Sequence, residues 1–189
     1  MDNVSYSHFI DGERLYLREV RIEDVNDDYY RWMNDEEITA YTESRFRPYS
    51  IHQLKDYVSK MDGETNSIFL AIVDKATDKH VGNIKLGNIN WIHRIGDIGI
   101  IIGEKNYWGK GYATEAIKLL TAYAFHKLNL HKVWAVCYDL NKGSIGAFKK
   151  AGFNEEGLLK EHYFYKGKYI NEIIFGLTSE DFSKLEGIV

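Results

Sequence analysis

This 189-residue chain has one cysteine, one proline, fewer basic than acidic residues and no long apolar run. With Cys137 alone, no intramolecular disulfide can form, and a reducing cytoplasmic setting fits. With Pro48 alone, and no Ser/Gly-rich linker, repeat or low-complexity segment, the economical reading is one domain over residues 1–189. Its folded core is expected over about residues 13–178. No apolar stretch approaches the roughly 20 residues that cross a bilayer, so no membrane partner is expected. Residues 1–5 have neither a basic nor an apolar leader region, which argues against a secretory signal. Lys and Arg number 24 against 28 Asp and Glu, and the resulting charge of −4 excludes a general affinity for nucleic acid. No group of His, Cys, Asp and Glu has metal-ligand spacing, so no metal is expected.

What the chain does have is pattern. Apolar residues make up 44% and charged residues 28%, the balance of a soluble globular protein. Fourteen tyrosines and Trp32, Trp91, Trp108 and Trp134 are spread along it, as core and rim residues would be. Strands are expected over 13–20, 67–74, 80–90, 94–103 and 131–137, with a hairpin of 158–165 and 168–177 around Lys166-Gly167. Helices are expected over 22–34, Ile51–Met61 with Ser50 as its cap, 112–128, and 142–151 ending at Gly152. The helix over 112–128 is the clearest, with Ala113, Ala116, Ile117, Leu120, Ala124 and Leu128 at helical spacing. This order implies an α/β (α+β) fold, a mixed sheet of about six or seven strands with helices on both faces.

Between the strand 94–103 and that helix lies Asn106-Tyr107-Trp108-Gly109-Lys110-Gly111-Tyr112-Ala113-Thr114. The first N–H groups of a helix have no partner within it, and the helix dipole is positive there. Glycines let a ligand come close to such N–H groups, so the turn is suited to phosphates. A P-loop needs G-x-x-x-x-G-K-S/T, but Lys110 lies between the glycines and Tyr112 follows them. A dinucleotide fingerprint needs a third glycine, where Thr114 stands, and an acidic residue about 20 positions on. His131-Lys132 occupies that region instead. A tight turn without a ligand is the plain alternative.

A second motif follows the next strand: Asn141-x-x-Ser144-x-x-x-Phe148-x-Lys150-x-Gly152-Phe153. Together with Tyr107-Trp108-Gly109-Lys110-Gly111-Tyr112-Ala113-Thr114-Glu115-Ala116, it resembles the GCN5-related N-acetyltransferases. Within them it is most similar to the branch of the ribosomal-protein N-terminal acetyltransferases. The resemblance covers most of the chain, from Glu13 to about Leu177. It implies a sheet splayed between its fourth and fifth strands, with acetyl-CoA in the opening. The amides of Trp108, Gly109, Lys110, Gly111, Tyr112, Ala113 and Thr114 would hold the pyrophosphate, with Tyr107 beside them. The backbone of Ile100, Ile101 and Ile102 would pair with the pantetheine. Asn141, Gly143 and Ser144 would approach its thiol end, Phe148 would lie alongside, and Lys150 would add charge near the phosphates. Asn106 replaces the family's usual Arg or Gln, which affects cofactor binding little.

Phe148 is the larger departure, because many relatives carry a tyrosine there to protonate the leaving thiolate. Ser144 is the first substitute and Tyr138 the second. A thiol of pKa about 8.5 is a fair leaving group in any case. The acceptor amine must lose a proton. Asp97, Glu104, Glu43 and His93 are the candidate bases, with Asp97 first because relatives often carry Glu in that strand. A backbone N–H near Ile101 or Ile102 would stabilise the oxyanion. The loop 34–49, with Tyr41, Glu43, Arg45 and Arg47, and the turn residue His93 would meet the acceptor. Aromatic and arginine groups suit a sugar nucleotide, and acids suit an amine or peptide N-terminus. The expectation is therefore an N-acetyltransferase acting on a protein or peptide N-terminus or an amino-sugar nucleotide. An acyl-CoA-binding module with little catalysis is the alternative, and a homodimer is compatible with either.

Overall fold

Alternating apolar residues pair the strands into one mixed sheet of eight in the computed structural model, which describes residues 8–187. In chain order the strands are β1 (Ile10–Asp11), β2 (Leu15–Glu19), β3 (Ile68–Asp74), β4 (Lys79–Asn90), β5 (Ile95–Ile102), β6 (Lys132–Tyr138), β7 (Asn154–Tyr165) and β8 (Lys168–Thr178). Across the sheet they run β1-β2-β3-β4-β5-β6-β8-β7, and only β5 and β6 are parallel. The count exceeds the expected six or seven because Ile10 and Asp11 fold back onto Leu17 and Tyr16.

The β5–β6 pairing is short. Ile95, Gly96 and Asp97 pair with Lys132, Val133 and Trp134, and there it stops. Beyond that fork β5 continues on β4 to Ile102, while β6 continues on β8 to Tyr138. The sheet is therefore splayed where the sequence resemblance places the opening.

The helices are α1 (Asp27–Asn34), α2 (Ile51–Met61), α3 (Tyr112–His126), α4 (Lys142–Lys150) and α5 (Ser179–Leu185). The single helix expected over 22–34 is broken. A 3-10 turn, Ile22–Asp24, precedes α1, because the Asn26 side chain takes the N–H groups of Asp28 and Tyr29 at 3.0 and 3.2 Å and starts a new helix. The Ser50 cap of α2 is present, closed by Gln53 as a capping box.

One face of the sheet carries α3 and α4. Ala116, Ile117, Leu120 and Ala124 of α3 and Phe148 of α4 pack with Leu17, Ile72, Ile84 and Leu86 in one buried cluster. The other face carries α1 and α2, where Tyr29, Trp32, Leu54 and Val58 pack with Phe69. Each large apolar side chain so buried contributes about 1.5–3 kcal/mol. Trp32, 1% exposed, lies directly over Gly103, where an added Cβ would come within 2.0 Å of its ring. That glycine lets α1 sit close to the end of β5.

Candidate functional site

The fork opens into a cavity of about 940 Å³. Ile98 to Ile102 form one wall, and Val136, Cys137 and the start of α4 form the other. The turn before α3 closes one end, and Glu36 to Thr42 with Tyr165 and Lys166 rim the mouth.

The wall of β5 turns backbone groups toward the opening. The N–H of Gly103 donates to the Val81 carbonyl at 2.9 Å, so by antiparallel alternation Ile101 also faces β4. Ile98, Ile100 and Ile102 then turn their N–H and C=O groups toward the opening. The Trp108 indole N–H donates to the Ile102 carbonyl at 2.7 Å, as that alternation requires. The expected backbone role of Ile101 is thus corrected: its polar groups belong to the β4 ladder.

The turn leaves a row of backbone donors free. Gly109 and Gly111 have φ of 69° and 86°, which glycine adopts freely. Among the described residues, no N–H from Gly109 to Thr114 has an acceptor, and the first helical bond runs from Glu115 to the Gly111 carbonyl at 3.0 Å. Six consecutive free donors at a helix start fit a pyrophosphate. Two distant side chains fix the turn. Arg14 donates to the Lys110 carbonyl at 2.5 Å and to Glu115 at 2.8 Å, and Glu115 also accepts the Arg14 N–H at 2.9 Å. Burial pushes the Glu115 carboxyl up, but these Arg14 bonds outweigh it and hold it below its ordinary value. Asp74 accepts from the hydroxyls of Thr77 and Tyr112 at 2.6 and 2.5 Å. Burial and that bond push the Tyr112 phenol up to about 12, so it stays a donor. The Lys110 side chain, unlike Trp108 and Gly109, is not part of the cavity wall.

On the facing wall, the Asn141 side chain caps α4 by accepting the Ser144 N–H at 3.1 Å. The Ser144 hydroxyl lies 3.2 Å from the Cys137 thiol. Burial pushes that thiol up to about 11, so it stays protonated near neutral pH. Phe148 is 1% exposed, its ring among Phe153 and Phe175, and it closes the cavity floor as an apolar surface. Gly143 and Lys150 also line the cavity.

Several expected acceptor-side residues are occupied elsewhere. Glu104 is buried and accepts from Arg31 and Lys79, each at 2.8 Å, and from the Trp32 indole at 3.0 Å. Burial raises its pKa, but Lys79, Trp32 and Arg31 together bring it below its ordinary value. Its carboxylate fastens α1 to β5 and has no room to act as a base. His93 lies in the exposed turn between β4 and β5, at the paired end of the fork and away from the cavity. Glu43 accepts from the Tyr138 hydroxyl at 2.5 Å. Arg45 donates to Tyr138, the Thr42 carbonyl and the Phe164 carbonyl, with its side chain 14% exposed. Burial and then Glu43 push the Tyr138 phenol up to about 12, and Tyr138 is not in the cavity wall. Tyr41 is in that wall, its ring stacked on Tyr165 at 5.3 Å. These contacts fasten the 3-10 turn Glu43–Phe46 over the β7–β8 hairpin, a closure that the sequence pattern does not reveal.

Asp97 sits at the last β5–β6 pair, opposite Trp134. Alternation places it on the α1–α2 face with Gly99 and Ile101. Its partner is the Asn88 amide, which donates to it at 2.6 Å.

Comparison with known proteins agrees with this geometry. The family described as Acetyltransferase (GNAT) domain matches residues 14–154. The chain is 34% identical over 164 residues to the spermidine N(1)-acetyltransferase of Escherichia coli K12, covering 85% of this chain and 80% of that one. It is 30% identical over 177 residues to an uncharacterized N-acetyltransferase of Bacillus licheniformis, covering 90% and 96%. The crystal structure of spermidine N-acetyltransferase from Vibrio cholerae in complex with CoA and spermine superposes with a TM-score of 0.79 at 27% identity, covering 89% and 98%. Where these names give an acceptor it is spermidine or spermine, so the narrower likeness to ribosomal-protein N-terminal acetyltransferases gives way to the family as a whole. With a splayed sheet, a turn of free amides and these relatives, the chain belongs to the GNAT acetyltransferase family and is an acetyl-CoA-dependent N-acetyltransferase.

Proposed function

We propose that this enzyme acetylates the primary amine of a small-molecule acceptor by direct attack on the thioester within a ternary complex. The observation that carries the reading is the run of six unpartnered N–H groups from Gly109 to Thr114 at the end of the fork. They hold the donor's pyrophosphate, and the outward backbone groups of Ile100 with the Ile102 N–H take its pantetheine arm and acetyl carbonyl. The amine nitrogen attacks the carbonyl carbon, a C–N bond forms, and the oxyanion rests on an outward β5 N–H. The C–S bond then breaks. Ser144 donates a hydrogen bond to the departing thiolate, and Phe148 supplies only an apolar floor. Asp97, at the fork on the α1–α2 face, accepts the amine's proton through water.

The acceptor enters past Glu36, Ala40 and Tyr41, which rim the mouth. A small molecule fits better than the peptide N-terminus or sugar nucleotide expected from sequence. The relatives named for an acceptor act on a small amine, and Arg45, one of the two arginines expected to meet a sugar nucleotide, has its guanidinium occupied. Acceptor profiling with labelled acetyl-CoA tests this. Label is expected in small primary amines, and label only in peptides would overturn it.

A further inference from the structure

Beside the main cavity lies a second of about 470 Å³. The two meet at Glu36, Ala40, Tyr165 and Lys166, which line both. A molecule whose amine reaches the first cavity past Tyr41 therefore has the second as the space for its other end. The volume suits a group of a few to a dozen heavy atoms.

The chemistry of this second space is opposite to that of the chain. Its charged lining residues are Arg45, Arg47 and Lys166 against Glu36, three basic to one acidic, in a protein of net charge −4. Arg45 is committed to Tyr138 and two carbonyls. The Arg47 side chain makes no hydrogen bond or ion pair with any described residue, and Lys166 only lies 5.5 Å over the Tyr165 ring. Two uncommitted cations therefore face one space. Their frame is fixed. The Asn34 side chain bonds the Tyr49 N–H and carbonyl at 2.9 and 3.0 Å, closing the loop that carries Arg47 at its base. Arg45 then ties the same loop to the β7–β8 hairpin that carries Lys166. Phe46, 58% exposed with Arg45 over its ring at 4.1 Å, and Pro48 add an apolar surface for a methylene chain.

We propose that the second cavity receives the far end of the acceptor, and that this end is an anion, a carboxylate or a phosphate, bound by Arg47 and Lys166. The inference rests on the acetyltransferase reading of the first cavity and narrows its acceptor class. Arg binds both anions through two parallel N–H donors, and a second ammonium in the same space would be repelled. The acceptor is then an amino acid or aminoalkyl phosphate in type rather than a polyamine, which sets this chain apart from relatives named for spermidine.

The test uses the whole protein loaded with CoA, and four amines of similar length: 4-aminobutanoate, 3-aminopropyl phosphate, 1-aminobutane and 1,4-diaminobutane. Binding is followed by calorimetry, and transfer from acetyl-CoA in parallel, for wild type and Arg47→Glu. Both anionic amines are expected to bind at least about tenfold more tightly than the diamine, and Arg47→Glu to abolish or reverse that order. Acetyl-CoA affinity and Tm are expected to hold. Comparing the two anionic amines decides between carboxylate and phosphate. A diamine preference in wild type, an anion preference unchanged in Arg47→Glu, or no binding of any of the four overturns the proposal. If the expected binding order is found but no amine is acetylated, the acetyltransferase reading fails while the anion site stands.

Discussion

The Tyr112 hydroxyl donates to an Asp74 carboxylate oxygen at 2.5 Å, tying the first residue of α3 to the last residue of β3. The free amides of the turn are aimed by a bond to a strand 38 residues earlier in sequence. A hydrogen bond to a charged group contributes about 1.5–3 kcal/mol. Tyr112→Phe is expected to raise KM for acetyl-CoA several-fold, with kcat within about twofold, because it loosens donor binding without touching the chemistry. Steady-state kinetics at saturating amine checks the split, and a fall in kcat with constant KM would argue against it.

Gly111 tests the turn itself. Its φ is 86°, and a Cβ added there would lie 3.0 Å from an Arg14 guanidinium nitrogen, which leaves little room for a side chain. Gly111→Val is expected to cost about 1–2 kcal/mol of stability from left-handed strain and to weaken acetyl-CoA binding more than tenfold. Calorimetric titration of CoA into the variant measures the second effect.

Asp97 and Glu104 make a contrasting pair. Asp97→Asn is expected to lower kcat about 10²-fold or more. Glu104→Gln removes the buried carboxylate that Arg31 and Lys79 share and leaves them only Asp28 among the described residues. Losing that buried charge is expected to lower Tm while leaving the shape of the pH profile unchanged. An Asp97→Asn enzyme with wild-type rates across pH 6–9 would remove Asp97 as the proton acceptor.

His80 sets an acid limit on stability. It lies mostly buried, its side chain 11% exposed, against Trp32, ring centroids 5.0 Å apart, and its Nε2 contacts the Gly82 carbonyl and Asn83 Oδ1, both at 2.9 Å. Burial pushes its pKa down, more than the nearby Asp24 charge raises it. The folded state therefore holds the neutral ring. Its stabilisation is complete above the unfolded value near 6.5 and is lost as pH falls through the lower folded value. Urea titrations between pH 7.5 and 5 are expected to show this loss, and a His80→Asn protein a flatter dependence.

What the sequence made legible was local. The glycine turn, the Ser50 cap, the long helix and the hairpin at Lys166-Gly167 each depend on residues within a few positions. The contacts that complete the site join residues far apart: Arg14 with Glu115 across 101 positions, Glu43 with Tyr138 across 95, and Arg45 with Phe164 across 119. No periodicity carries such pairings. His93 shows the same limit in reverse. It is near β5 in sequence, but only the register of β5 on β6 reveals that its turn lies at the closed end of the fork. Glu104 is a similar case, because a carboxylate after a strand gives no sign of the Trp32, Arg31 and Lys79 that surround it.

The most direct test of the central claim is the initial rate of CoA thiol release as acetyl-CoA and a small primary amine are varied together. Amine-dependent release with intersecting double-reciprocal lines is the predicted result, the signature of direct attack within a ternary complex. Parallel lines, or release that does not depend on any amine, would contradict it.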